Sequence, residues 1–367
     1  MTKSMKQENI KGISNRINSD QVTDIISKAS LSPETTDWLN SNSKYITDLI
    51  NVYADDPDTY GLHQDLRNNP LLVAETILYS AETLHKYQEA YNKTLIELAK
   101  TNGVDFENIA DIPMLLQNAS IERERPKISA QLKSGGYVAI GLMGSGASGK
   151  GTIGKRTGMD RVVNYTTRFI RPGEEHGKDY LYIRTLEPEV SETLDIDTGI
   201  AEDKNGNKIN YFDKYGPYIT VVHRPGRARH GTSIDQFKEH FGAGKKAIFF
   251  EHGPIQVQEA GEKLPQFIDK AKVFPVCVLP PKTGILPLAL RIAVRTYGDK
   301  DHQDTTVKDG YKIQESYLES TIGLGQITEL AWTANFLEGD KSLGITYIVN
   351  DNLMEAVQTL QGLISTK

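Results

Sequence analysis

The segment Tyr137-Val138-Ala139-Ile140-Gly141-Leu142-Met143-Gly144-Ser145-Gly146-Ala147-Ser148-Gly149-Lys150-Gly151-Thr152 joins an unbroken apolar run to a glycine-rich loop ending in lysine. The apolar run reads as a strand buried on both faces, which is the pattern of a parallel sheet covered by helices. Glycines at 144, 146, 149 and 151 let backbone amides turn inward around an anion, and the helix start that follows adds its positive end. Lys150 then carries a mobile ammonium to the outer phosphates. Ser148 lies inside the same loop. Strand, loop and lysine in this order mark a nucleotide-phosphate site; the competing reading is a glycine-rich turn that merely contains a lysine.

A magnesium shell needs a hydroxyl close behind the lysine. The common pattern places Ser or Thr directly after it, but here Gly151 intervenes and Thr152 carries the hydroxyl, an arrangement that resembles the loop of adenylate kinases.

Outward from the loop, apolar strands are expected at Tyr137–Met143, Asp160–Thr166, Lys246–Glu251, Val273–Leu279 and Ile345–Asn350, with helices at Ser233–Phe241, Val307–Ile322 and Leu353–Leu363 between or after them. Alternating strands and helices predict an α/β fold with helices on both faces of a parallel sheet. The stretch 187–226, with Asn205-Gly206, Tyr215-Gly216-Pro217 and Arg224-Pro225-Gly226, reads as an irregular or hairpin-containing insertion. Gly158 shortens the helix behind the loop.

Residues 1–132 differ in texture: they hold three glycines and read almost entirely as helix. Ser32-Pro33-Glu34 is a start signal, because the serine oxygen caps free amides where proline needs none, and Asn69-Pro70 is another. Between Leu71 and Lys100, Ile77, Leu84, Tyr91 and Leu98 recur every seventh residue with Ala81, Tyr87 and Leu95 between, and Asn102-Gly103 supplies the stop. An all-α N-terminal domain over 1–132 is expected, packing on itself or on a second copy as a homo-oligomer. Glu122–Arg125, just before Pro126, reads as a solvated helix end and linker.

The 367 residues exceed the roughly 250–300 at which one core stops growing, so at least two domains are expected, 1–132 and 135–367. Hydrophobic residues at 38% and charged residues at 25% are globular values and exclude a largely disordered or disulfide-stapled chain. The net charge of −6 argues against bulk-charge binding of nucleic acid or of anionic membrane. The lone cysteine, Cys277, excludes an intrachain disulfide and a zinc cluster and reads as core packing. With no signal-like segment and no long apolar span, a cytoplasmic location is expected.

A second cationic segment runs Asn164-Tyr165-Thr166-Thr167-Arg168-Phe169-Ile170-Arg171-Pro172-Gly173-Glu174-Glu175-His176-Gly177-Lys178-Asp179-Tyr180. Two arginines three apart, with a tyrosine hydroxyl nearby, can surround a phosphate; the same residues can also be a solvated basic turn. The order Thr-Thr-Arg, an arginine three on, Pro-Gly-Glu and then Gly-Lys-Asp-Tyr resembles the substrate-phosphate segment of guanylate kinases. Further on, His230-Gly231-Thr232-Ser233, Gly244-Lys245, the strand to Glu251, Leu279-Pro280-Pro281, Arg291 with Arg295, and Ile348-Val349-Asn350-Asp351 follow in that family's order. The resemblance runs from about Gly136 to the C-terminus.

That resemblance implies a P-loop nucleoside monophosphate kinase that transfers phosphate from Mg2+-ATP to GMP or dGMP, with an acceptor-binding region at about 164–245 and a lid at about 286–312. It places Gly144, Gly146, Ser148, Gly149, Lys150, Gly151, Thr152 and Asn350 on the donor nucleotide. Asn164, Arg168, Arg171, Tyr180, His230, Thr232, Ser233 and Glu251 fall on the acceptor, Thr152 and Glu251 on the metal, and Arg291 and Arg295 on the lid. Such chemistry asks mainly for positioning and charge neutralisation. Departures bear on the base: Asn164 replaces a serine, His230 replaces a tyrosine, and the family's Asp-x-Asp becomes Phe250-Glu251-His252. Glu251 is left to serve the base or the metal, and Glu202, Asp203 and Asp213 are replacement acceptors for guanine N–H groups. A kinase-derived scaffold for acidic peptides and a kinase of another phosphorylated acceptor are the competing functions.

Overall fold

Gly141 shows how tightly the central layer is built: a Cβ there would sit 2.5 Å from the Val257 side chain of the helix lying across it. The computed structural model describes residues 16–55, 74, 81–144, 148–170, 174–223, 228–279 and 344–365. Five strands, β1 (Tyr137–Met143), β2 (Asp160–Arg161), β9 (Ala247–Glu251), β10 (Ala271–Leu279) and β11 (Thr346–Val349), form one parallel sheet in the order β11-β10-β1-β9-β2. The inner strands β1, β9 and β10 and the edge strand β11 are almost wholly buried and largely apolar, as cover on both faces requires, whereas edge strand β2 is the charged, half-buried pair Asp160-Arg161.

Helices α1 (Ser19–Lys28), α2 (Pro33–Asp55) and α3 (Ala81–Thr101) precede α4 (Ile112–Lys133); α5 (Lys150–Arg156), α6 (Ile234–Gly242), α7 (Pro254–Phe267) and α8 (Leu353–Ile364) follow. Val138, Ile140, Leu142, Phe274, Val276, Val278 and Ile348 form one sheet face and share a core with Ile128 of α4, Ile153 of α5 and Val357, Leu360 and Leu363 of α8. On the opposite face lie Gly141 beneath Val257 of α7, and Phe250 edge-on to Phe237 of α6. The sheet is thus covered on both sides.

A second sheet, in the order β4-β3-β8-β7, joins β3 (Tyr165–Thr166), β4 (Leu181–Tyr182), β7 (Tyr218–Val222) and β8 (His230–Ser233). Beside it β5 (Ile200–Glu202) and β6 (Lys208–Asn210) make a hairpin, so the expected insertion does contain one. Ile183, Val190, Leu194, Ala201, Tyr211 and Phe212 give this region its own small core.

Three readings change. The strand expected at Asp160–Thr166 is two strands in two sheets: β2 pairs with β9, and β3 pairs with β4 and β8. Periodicity registers that Val162 and Thr166 are buried, not that the chain changes sheets between them. Glu122–Arg125 is not a linker: α4 continues through Pro126, and Glu124 is buried with Arg123 at 2.7 Å and Lys127 at 3.0 Å. Finally, α4, assigned from the sequence to the helical half, covers the sheet; the chain parts into two compact units within α3, between Glu89 and Ala90. Before that point α2 begins at Pro33 as expected, with Ser32 Oγ accepting the Thr35 amide. In α3, Ala81, Leu84, Tyr91, Leu95 and Leu98 are buried, matching the heptad stripe. Asn69-Pro70, Ile77 and the helix expected at Val307–Ile322 lie outside the described residues.

Cys277 is buried on β10 and forms no disulfide. No helix among the described residues is long and apolar enough to cross a membrane.

Candidate functional site

At the C-terminal end of β1 the chain turns through Gly144, whose φ of 129° belongs to glycine; a Cβ there would lie 2.6 Å from the Val278 carbonyl oxygen. Gly149, at φ 93°, leads into α5. Lys150 Nζ donates to the Gly144 carbonyl at 2.5 Å, folding the ammonium back over the loop. Ser148 is fully buried, and Asn350, just beyond β11, donates from Nδ2 to its carbonyl at 2.7 Å. Asn350 therefore braces the loop from beneath. Gly146 lies outside the described residues. Thr152 is exposed on the first turn of α5.

Glycine at 151 has a visible reason. A Cβ there would stand 3.1 and 3.2 Å from the two carboxylate oxygens of Glu251, at the end of the adjacent strand β9. The carboxylate thus lies against the lysine-bearing loop. Its Oε1 is 2.8 Å from Arg161 Nη2. Arg161 was not singled out in the sequence; an isolated arginine on a two-residue strand carries no motif.

Arg161 also donates from Nη1 to the Lys178 carbonyl at 3.0 Å, and Asp179 Oδ1 is 4.0 Å away. Lys155 of α5 reaches the same Asp179 oxygen at 2.8 Å. Burial alone would raise the Asp179 pKa, but hydrogen bonds from Lys155 and the Glu175 amide, with the Lys155 and Arg161 charges, hold it below the ordinary aspartate value. One charged chain therefore runs from the loop through Glu251, Arg161 and Asp179 to the second cationic segment.

In that segment Arg168 is buried, and its guanidinium makes a fork with Glu174: Nη1 to Oε2 and Nη2 to Oε1, each 2.6 Å. Nη1 also donates to the Phe169 carbonyl at 2.9 Å. The guanidinium carbon lies 4.7 Å from the Tyr180 ring centre and 5.3 Å from that of Tyr182, whose hydroxyl donates to Glu174. Burial works against the charge on Arg168, yet Glu174 more than offsets it and raises the pKa. With the fork on the terminal nitrogens, Nε–H and the second Nη2 proton remain for an anion among the described residues. The His230 ring is 5.3 Å from that of Tyr180, so Arg168, Tyr180 and His230 converge. Arg171, Arg291 and Arg295 lie outside the described residues.

Asn164, Thr232 and His252 form a buried knot between the two sheets. Thr232 Oγ1 donates to Asn164 Oδ1 at 2.7 Å, and Asn164 Nδ2 donates to the Glu251 carbonyl at 3.2 Å. With its one proton committed, the Thr232 hydroxyl accepts from His252 Nε2 at 2.5 Å, which assigns the neutral Nε2–H tautomer. Burial, helped by the charge of His230, lowers the His252 pKa to about 3. Ser233 Oγ accepts the Asp235 amide and caps α6. Asn164, Thr232 and Ser233 are therefore engaged within the protein.

Glu202 lies exposed on β5, Asp203 binds the hairpin turn at Asn205 and Asn207, and Asp213 pairs with Asn210. The buried carboxylate of this region is instead Glu187, which meets Lys214 Nζ at 2.5 Å and the Tyr215 hydroxyl. Among the described residues no three His, Cys, Asp or Glu side chains converge as a metal cage.

No family profile matches the chain, and no curated protein does. Among solved structures, the guanylate kinase from Anaplasma phagocytophilum is similar at 13% identity and a TM-score of 0.34, over 62% of this chain and 83% of that one. A likeness at that level establishes neither family nor activity.

Proposed function

We propose that the chain is a nucleoside monophosphate kinase that moves the γ-phosphoryl group of ATP to GMP, dGMP or a related nucleotide. The observation that carries this reading is the pairing of two anion sites linked by Glu251, Arg161 and Asp179: the loop with Lys150, backed by Glu251, and the forked, ring-stacked Arg168 on the second sheet. A scaffold binding one acidic peptide has no use for the first site.

Lys150 and the loop amides would hold the donor phosphates, and Asn350 keeps the loop in shape. A magnesium ion would be held by Glu251 and the Thr152 hydroxyl, with phosphate oxygens and water completing its shell. One carboxylate suffices, because magnesium keeps much of its water and binds largely through the nucleotide. When bound, the ion neutralises charge on the transferred group. Its position against Gly151 favours the metal over the base as the role of Glu251. On the acceptor side Arg168 would take phosphate on its remaining donors, with Glu174 fixing the plane and Tyr180 beneath it. Nothing more is required of side chains than position and charge.

Guanine needs acceptors for its N–H donors. Since Asn164 and Thr232 are tied into the His252 knot, a modified nucleotide or another phosphorylated acceptor is the second reading. Purified protein given Mg2+-ATP and a panel of monophosphates should release ADP with a guanine or related nucleotide, and Lys150→Met should abolish the release while the fold is retained. No release with any member of the panel would reject the proposal.

A further inference from the structure

Arg161 stands between the two anion sites and belongs to neither. It leaves edge strand β2, which lies beside β9 in parallel register with Arg161 opposite Phe249, and so reaches the carboxylate two residues further along β9. Its side chain is 15% exposed, that of Glu251 18% and that of Asp179 24%, so water screens the group poorly.

The pair is also imperfect. Arg168 and Glu174 form a two-bond fork, whereas Arg161 meets Glu251 through one nitrogen. Among the described residues Arg161 Nε is buried without a hydrogen-bond partner, and Glu251 Oε1 makes no hydrogen bond although Arg161 Nη2 lies 2.8 Å away. A permanent structural bridge in a buried site would satisfy these atoms. An unsatisfied donor and acceptor with a second carboxylate 4.0 Å from Arg161 are what an exchangeable pair looks like.

We infer that Arg161 is a positioning residue that couples the two sites, exchanging Glu251 for the Asp179 segment when a divalent cation arrives with the donor nucleotide. The inference rests on the proposed kinase reading. With a divalent cation at the donor phosphates, Glu251 would be the carboxylate that holds it and would give up its contact with Arg161. Arg161 then loses its anion and moves its charge toward Asp179, where Nη1 already holds the Lys178 carbonyl. Asp179 adjoins Tyr180, the ring stacked on Arg168. Donor occupancy therefore tightens the acceptor clamp, and by linkage acceptor occupancy tightens donor binding.

Calorimetric titration of the full chain tests this, with GMP as probe and the non-hydrolysable ATP analogue AMP-PNP as donor. For the wild type, saturating Mg2+-AMP-PNP should lower the GMP Kd by about fivefold or more, within the usual range of coupling between sites, and AMP-PNP with EDTA should not. In Arg161→Gln both ligands should still bind but the Kd ratio should fall to about one, and Arg161→Lys should recover part of it; a merely structural arginine would shift both affinities and leave the ratio alone. Wild-type ratio retained in Arg161→Gln overturns the inference and spares the kinase reading. If Arg161→Gln does not fold, the wild-type comparison with and without Mg2+ decides, and coupling that ignores Mg2+ overturns it. No binding of either nucleotide to the wild type overturns both.

Discussion

Asn350 and Ser148 are joined by a 2.7 Å hydrogen bond from the Asn350 amide to the Ser148 carbonyl, linking the end of the last strand to the loop behind the first. Both residues are buried, so the bond shapes the loop rather than facing solvent. Asn350→Leu keeps the volume and removes the donor, leaving a buried carbonyl whose lost partner costs about 1–3 kcal/mol. The ATP KM should rise by roughly tenfold while kcat changes less. Steady-state rates at varied ATP check this, and an unchanged KM would show that the loop holds its shape without Asn350.

Gly154 seats α5 on the sheet. A Cβ at this position would be 2.3 Å from the Phe249 ring, between two rigid elements. Gly154→Ala should therefore destabilise the fold by about 1–3 kcal/mol, although alanine is the better helix former. Urea unfolding monitored by circular dichroism gives the sign directly.

Glu174 orients Arg168 and accepts from Tyr182. Removing the carboxylate in Glu174→Ala leaves a buried guanidinium without its fork, at a cost of about 1–3 kcal/mol or more. Arg168 should then lose its fixed plane. The acceptor KM should rise several-fold, with the ATP KM little altered, because the fork belongs to the acceptor segment while Lys150 and Asn350 hold the donor loop. Equal effects on both constants would contradict the division of labour between the sites.

The fold was largely legible. The apolar run Tyr137–Met143 is β1 residue for residue, the chain turns at Gly144, and Gly149 through Thr152 form the expected helix start, because glycine spacing and unbroken hydrophobicity are local properties of the chain. What the sequence hid depends on neighbours remote in the chain. Arg161 matters through Glu251, ninety residues away in number but two positions along the adjacent strand. Glu187 and Glu124 look like two surface acids among many until packing buries them. The resemblance puts Ser233 and Asn164 on the acceptor, with Asn164 in place of a serine, yet their hydroxyl and amide are spent on a helix cap and on the His252 knot.

His252 supplies a pH signature. Its folded pKa is lowered from 6.5 to about 3, so between these values the unfolded chain takes up a proton that the folded protein refuses. Its contribution to stability is present above pH 6.5 and is lost as pH falls below that, with a slope of up to about 1.4 kcal/mol per pH unit. His252→Gln retains an amide donor for Thr232 but does not titrate. The wild-type midpoint in urea should therefore fall more steeply than that of the variant between pH 6.5 and 5, and parallel curves would contradict the buried neutral imidazole.

The central claim is direct transfer of phosphate from one bound nucleotide to another. ATP labelled in its γ-phosphate, mixed with Mg2+, GMP and excess enzyme for a single turnover, reports where the label goes. The account predicts label in the nucleoside diphosphate, and none there with Lys150→Met. Label that stays in ATP, or appears only as free phosphate across the panel of monophosphates, would contradict it.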